Sequence, residues 1–361
     1  MFKRWRAALA ALVILASLSA QAGALAETDL VESILSGMTV EQKVGQLFFV
    51  TRPGDLDAAV KDAKKYSLGG YVLYGVHFKN KTPEKILKGI QRCQKASAIP
   101  MLFGVDEEGG TVSRVSSYKA FRSKRFPSPL TLYKNGGMDA VLEDAREKAK
   151  LLTSMGITVN LAPVADVPES KKNFIYSRSF GTDPALTSEY IKAMVEESTP
   201  LGLGLMLKHF PGYGNNRDTH TGSVVDKRSM FTFKTRDFLP FAAGIRAGVG
   251  SIMVCHNIVQ CMDPDLPASL SPKVHQTLRD MGFDGVIVTD GLKMQAITRK
   301  YSTKESVVLA IEAGNDMVML NDYKTGIKAV LKAVEDGRIT EERLNESVRR
   351  ILKWKVQLGL L

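Results

Sequence analysis

Cysteine is scarce. Three residues, Cys93, Cys255 and Cys261, in a chain of 361 exclude a disulfide-built scaffold and allow at most one intramolecular bridge. Only Cys255 and Cys261 stand close together, and either a bridge between them or buried free thiols fits the sequence. Histidine is scarce too. The five are dispersed, with no His-x-x-x-His or Cys-x-x-Cys spacing, so no metal centre is expected. No dense basic run exists despite a formal charge of +11; cations alternate with acids, as in Glu341-Glu342-Arg343, which argues against a nucleic-acid partner and for a solvated surface. No Pro/Gly/Ser-rich linker divides the chain, and 44% hydrophobic with 24% charged residues excludes disorder. No second domain is visible.

The amino terminus reads differently from the rest. Lys3, Arg4 and Arg6 form a basic head, residues 7–18 an apolar stretch, and Ala24-Leu25-Ala26 a small-residue end of the kind a signal peptidase accepts. The expectation is a secretory signal over residues 1–26 and a single domain over 27–361, exported to a periplasmic or extracellular space, with an uncleaved anchor as the alternative. The apolar stretch is short for a membrane span, and nothing later reaches 18 consecutive apolar residues. Loss of the basic head would lower the formal charge from +11 to +8.

Eight apolar, β-branched runs of strand length recur, over residues 45–50, 69–73, 101–105, 158–162, 204–208, 251–256, 285–289 and 316–320. Stretches with helical spacing separate them. The clearest is the last, where Leu344, Val348, Ile351 and Leu352 mark one face and Gly359 stands where the helix should stop. Near-continuous apolar strands alternating with amphipathic helices imply an α/β fold with a helix-covered parallel sheet. Eight units favour a single closed (β/α)8 TIM-like barrel over an open sheet.

Such a barrel places its chemistry at the carboxyl ends of its strands. Those ends carry Asp106-Glu107-Glu108-Gly109-Gly110, Asp166, Lys208-His209, His256, Asp290 and Asn321-Asp322. Carboxylates converging on one mouth repel unless cations offset them, and Lys208, Arg114 and Arg178 are the candidates. After Lys208-His209, Phe210-Pro211-Gly212-Tyr213-Gly214 forces an irregular loop that ends in Asp218-Thr219-His220. In that pair a carboxylate can fix the tautomer of an imidazole for proton transfer; the bland alternative is a surface hydrogen bond. Asp290, directly after an apolar run, fits a nucleophile, a metal ligand or a helix cap. Asp106 fits a carboxylate that accepts from two neighbouring sugar hydroxyls, or a cap beside a Gly-rich turn. His256 and Asp166 read as supporting residues at the barrel ends.

Lys208-His209-Phe210-Pro211-Gly212 with Asp218-x-His220, Asp106-x-Glu108-Gly109-Gly110 and Gly285-Val286-Ile287-Val288-Thr289-Asp290 closely resemble glycoside hydrolase family 3, specifically its β-N-acetylglucosaminidase branch. Asn160-Leu161-Ala162-Pro163, Arg178-Ser179-Phe180-Gly181-Thr182-Asp183-Pro184 and Leu266-Pro267-Ala268-Ser269 are similar to that branch as well, in the family's order and over nearly the whole of residues 27–361. The resemblance implies a retaining double displacement. Asp290 matches the nucleophile and His220, oriented by Asp218, the general acid/base, while Asp106, Arg114, Arg178, Lys208 and His209 match positions that hold the N-acetylglucosamine ring. It implies no cofactor. The expected substrate is a β-N-acetylglucosaminide, a peptidoglycan fragment or chitooligosaccharide, handled by a monomer. Rival readings are a β-glucosidase or β-xylosidase of the same family and a non-catalytic sugar-binding envelope protein. A histidine acid also leaves room for phosphate in place of water as acceptor. Two departures stand out: Tyr213 where many relatives have His, and Thr111 where Arg is common. The first is expected to alter loop packing and the second aglycone preference.

Overall fold

The computed structural model describes residue 25 and residues 27–361. The leader expected over 1–26 lies outside the described residues, apart from Leu25. Eight parallel strands follow one another around the sheet in chain order: β1 Phe49–Thr51, β2 Gly70–Leu73, β3 Leu102–Val105, β4 Val159–Asn160, β5 Gly204–Phe210, β6 Ser251–Val254, β7 Val286–Gly291 and β8 Met317–Met319. The ring closes where Phe48 bridges Val318, with Val318 N–H donating to Leu47 O at 2.8 Å. All four residues of β2, β3 and β6 are buried, which is why these strands read as unbroken apolar runs. Phe49 fills the space beside two of them: a Cβ on Gly70 or Gly104 would lie 2.8 Å or 2.5 Å from its ring.

Helices α1 Leu56–Tyr66, α2 Pro83–Ala96, α3 Pro129–Ser154, α4 Pro184–Ser198, α5 Phe238–Arg246, α6 Pro272–Asp280, α7 Thr303–Ala313 and α8 Tyr323–Glu335 each follow one strand, and α9 Glu341–Gln357 completes the chain. Their starts are written locally. Asp55, Thr82, Ser128, Asp183, Ser271, Ser302, Asp322 and Thr340 each accept a first-turn N–H, and α2, α3, α4 and α6 begin on proline. The first expected strand, over 45–50, starts too early: residues 45 and 46 end a helix, Val40–Gln46, nucleated by a reciprocal Thr39–Gln42 capping box.

The expected face of α9 closes the floor of the barrel. Leu344, Val348, Ile351 and Leu352 are fully buried, each contributing about 1.5–3 kcal/mol of transfer free energy. Trp354 packs where a Cβ on Gly250 would sit 2.1 Å from its indole nitrogen. Lys355, fully buried, donates to Gln46 Oε1 at 2.5 Å, and burial holds its amine down at about 7. Asp316, at the start of β8, accepts from Arg279, Arg350 and Ser347. Charge at this end is therefore structural. All three cysteines are free, with Cys93 and Cys255 buried and Cys261 exposed. No helix among the described residues is long and apolar enough to cross a membrane.

Candidate active site

At the opposite end, the acidic run after β3 is sorted by strand alternation. Glu107–Gly109 pairs antiparallel with Val112–Ser113, so successive side chains point to opposite sides. Glu107 turns away from the mouth and accepts from the backbone N–H groups of Arg114, Val115 and Ser116 and from the Ser116 hydroxyl, shaping the loop. Asp106 and Glu108 turn inward. The turn needs Gly109, with φ 95°, because a Cβ there would lie 2.2 Å from Pro127 O.

Glu108 is the hub. Arg178 grips it with two hydrogen bonds, 3.0 and 2.7 Å, and Lys208 Nζ lies 2.6 Å from Glu108 Oε1 and 2.7 Å from Asp106 Oδ1. Burial alone would raise the Glu108 pKa, yet Lys208 and Arg178 outweigh it and hold the carboxyl at about 2. Burial likewise opposes charge on Lys208, and Asp106 and Glu108 overcome it, keeping the amine protonated. Asp106 is half-buried and its Oδ2 has no hydrogen-bond partner among the described residues, so one carboxylate oxygen is left for a ligand.

His209 stands beside this trio. Its Nδ1–H donates to Asp166 Oδ2 at 2.7 Å, which leaves Nε2 facing Arg178 Nη2 at 3.3 Å. Asp166 also accepts from the N–H of His209 and of Tyr213, so it fixes both strand end and loop start. Arg114, expected to offset the carboxylates, makes no ion pair among the described residues, and its Nε is buried without a partner among them. Among the described residues, the ion pairs that neutralise the cluster come from Lys208 and Arg178.

On the far side of the mouth, Asp290 ends β7 half-buried. Its Oδ1 accepts from Gly291 N–H at 2.7 Å and Oδ2 has no donor among the described residues. Burial pushes its pKa up, but the imidazoles of His256 and His209, the Gly291 N–H and His220 outweigh that and hold it below the usual carboxylate range. His256 is buried, which lowers its pKa; since Gly291 O can only accept, Nε2–H donates to it at 3.1 Å and Nδ1 accepts from Ser269. The ring thus braces the peptide that follows Asp290.

His220 sits on the loop after β5, with 62% of its side chain exposed. Asp218 Oδ1 accepts from both its N–H and its Nδ1–H, at 2.9 and 2.7 Å, and Nε2 has no hydrogen-bond partner among the described residues. The loop base is bolted down by Arg228, which joins buried Asp226 and Asp237 and donates to Gly212 O at 2.8 Å. Gly214, with φ 53°, is required there, since a Cβ would sit 2.0 Å from Arg228 Nη1.

Residues 106, 178, 208 and 209 are therefore joined in one hydrogen-bonded cluster, with 218 and 220 on the loop above and the charge of 290 within electrostatic reach of His209 and His220. Three contributors lay outside the sequence-derived candidates. Glu108 was hidden beside two other acids. Tyr74, after β2, carries no motif, yet its hydroxyl is pushed up to about 12 by burial and by the charges of Asp106 and Asp290, so it remains a donor. Lys293 lies 5.4 Å over the Tyr74 ring. Among the described residues no group of His, Cys, Asp or Glu is arranged to hold a metal ion.

A sequence profile described as the N-terminal domain of glycosyl hydrolase family 3 matches residues 39–354. The chain belongs to glycosyl hydrolase family 3. Within the family it is similar to "Beta-hexosaminidase A" of Pseudoalteromonas piscicida, 28% identical over 337 residues, covering 85% of this chain and 56% of the relative. It is also similar to "Beta-hexosaminidase" of Xylella fastidiosa strain M23, 32% identical over 70% of this chain and 76% of the relative. Among solved structures, a family 3 β-N-acetylglucosaminidase from Paenibacillus sp. FPU-7 superposes with TM-score 0.83 at 30% identity, covering 90% of this chain and 63% of that one. A β-N-acetylhexosaminidase from Beutenbergia cavernae superposes with TM-score 0.76 at 26% identity, covering 87% of this chain and 98% of the other. The chain thus spans little more than half of the Pseudoalteromonas relative and under two thirds of the Paenibacillus one.

Proposed function

We propose that this family 3 protein is a retaining exo-β-N-acetylglucosaminidase that needs neither metal nor cofactor and acts as a monomer. The observation that carries the reading is the division of the mouth. An ionised, half-buried Asp290 with one free oxygen lies on one side, and an Asp218-oriented imidazole with a free Nε2 stands on the loop above. In the first step Asp290 Oδ2 attacks the anomeric carbon while His220 Nε2–H protonates the departing oxygen, leaving a glycosyl ester on Asp290 and a neutral imidazole. In the second, water gives its proton to Nε2 and its oxygen to the anomeric carbon, which frees Asp290. A neutral base avoids placing a second anion next to the attacking carboxylate. Asp106, Lys208, Arg178, His209 and Arg114 are assigned to the sugar hydroxyls.

The substrate we favour is a peptidoglycan fragment rather than a neutral chitooligosaccharide. Lys171, Lys172, Arg217, Lys293, Arg299 and Lys300 are exposed on the loops that follow β4, β5 and β7, and such a rim attracts the lactyl and peptide carboxylates of an anionic aglycone. The secretory leader read in residues 1–26 is consistent with a cell-envelope setting. The test is hydrolysis of purified muropeptides and of chitobiose by the wild type, Asp290→Ala and His220→Ala. Release of N-acetylglucosamine from muropeptides by the wild type, and its loss in both variants, is expected; a fully active Asp290→Ala contradicts the mechanism, and a preference for chitobiose contradicts the substrate.

A further inference from the structure

Tyr213 departs from the histidine common at this place in similar proteins, and its surroundings give the change a purpose. The side chain is buried, its N–H donates to Asp166 Oδ1 at 2.7 Å, and its ring meets His209 edge to face at 5.1 Å. Its hydroxyl lies 2.6 Å from Thr219 Oγ1, and Thr219 is itself fully buried between Asp218 and His220. The other hydrogen bonds of residues 217–222 close within that segment: Asp218 binds His220 and Thr221. Among the described residues, the single hydrogen bond that leaves 217–222 is therefore the one between Tyr213 and Thr219.

We propose that Tyr213 is a positioning residue whose hydroxyl latches Thr219 and thereby aims His220 over the sugar site. The inference rests on the reading of His220 as general acid/base. One end of the latch is tied through Asp166 to His209, in the cluster assigned to the ring; the other adjoins the imidazole assigned to the leaving oxygen. A histidine at 213 has no hydroxyl to make this contact.

Leaving-group dependence tests it, because kcat/KM reports the bond-breaking step and a nitrated phenol departs without a proton. Phenyl and dinitrophenyl β-N-acetylglucosaminides are compared in the wild type, Tyr213→Phe, Thr219→Val, the double variant, Thr219→Ser and His220→Ala. Tyr213→Phe keeps the ring and removes only the hydroxyl. It is expected to lower kcat/KM roughly tenfold for the phenyl substrate, the size of one hydrogen bond, with little change for the dinitrophenyl one. Thr219→Val should match it, the double variant should be no worse than either, and Thr219→Ser should restore the wild-type ratio. Tyr213→Phe that is unchanged, or that loses equally on both substrates, overturns the latch. If His220→Ala itself loses equally on both, the acid/base reading fails instead.

Discussion

The two halves of the mouth are built on opposite plans. Around Lys208, every polar side chain answers to another: Glu108 to Arg178, Lys208 to Asp106 and Glu108, His209 to Asp166, nearly all of it buried. On the loop after β5, His220 is mostly exposed and its segment makes, among the described residues, one hydrogen bond to the rest of the protein. On the proposed mechanism the difference has a purpose: groups that must hold a fixed outline gain from desolvated, cross-braced charge, whereas a group that passes a proton to two different partners must stay open to both. The price is that the first half is intolerant of single changes.

The largest expected effect follows from that intolerance. Lys208→Met would leave Glu108 and Asp106 facing each other with only Arg178 to compensate, and breaking a buried pair in this way costs about 3–5 kcal/mol. Thermal unfolding should show a large fall in Tm, while His220→Ala, exposed, should leave Tm nearly unchanged. Equal shifts would erase the distinction between the halves.

An acid titration sharpens it. Glu108 has its folded pKa at about 2 against 4.5 for the free side chain, so it binds protons less readily folded than unfolded. Its stabilising contribution is complete above 4.5 and disappears as pH falls from there towards about 2. Tm of the wild type should decline over that window more steeply than Tm of Glu108→Gln; parallel declines would contradict the charge balance drawn here. The smallest effect is expected at the Arg122–Glu147 pair of 2.8 Å, whose carboxylate is half exposed. Glu147→Gln should change stability by less than about 1 kcal/mol in a denaturant titration.

The barrel was legible because buried parallel strands and capped helices leave plain local marks. The eight apolar runs each overlap a strand of the barrel, and the polar residues after them and the buried face of α9 fall where the sequence puts them. The short helix at Val40–Gln46 did not, since a capping box claimed residues that also suit a strand. Within the site, Lys208, His209, Asp290 and the Asp218–His220 pair carry spacing that survives in the sequence. Glu108 stands in the Asp106-x-Glu108-Gly109-Gly110 motif, but its place at the centre of the cluster is decided by pairing with Val112–Ser113, which turns it inward. Tyr74 is placed by His77, whose neutral ring accepts from Tyr74 N–H and donates to Arg52 O, a three-dimensional link with no motif. Arg114 matched by position, yet its unpaired Nε shows that position alone does not assign a partner.

The proposed mechanism requires a sugar ester at Asp290 whose formation and breakdown are served by His220. Rapid acid quench of His220→Ala during turnover of the dinitrophenyl β-N-acetylglucosaminide, followed by peptide mass spectrometry, reads this directly. An N-acetylhexosaminyl adduct on the peptide bearing Asp290, cleared by added azide with release of the β-glycosyl azide, is the expected result. An unmodified Asp290 peptide while phenolate is being released, or an adduct on another carboxylate, would contradict it.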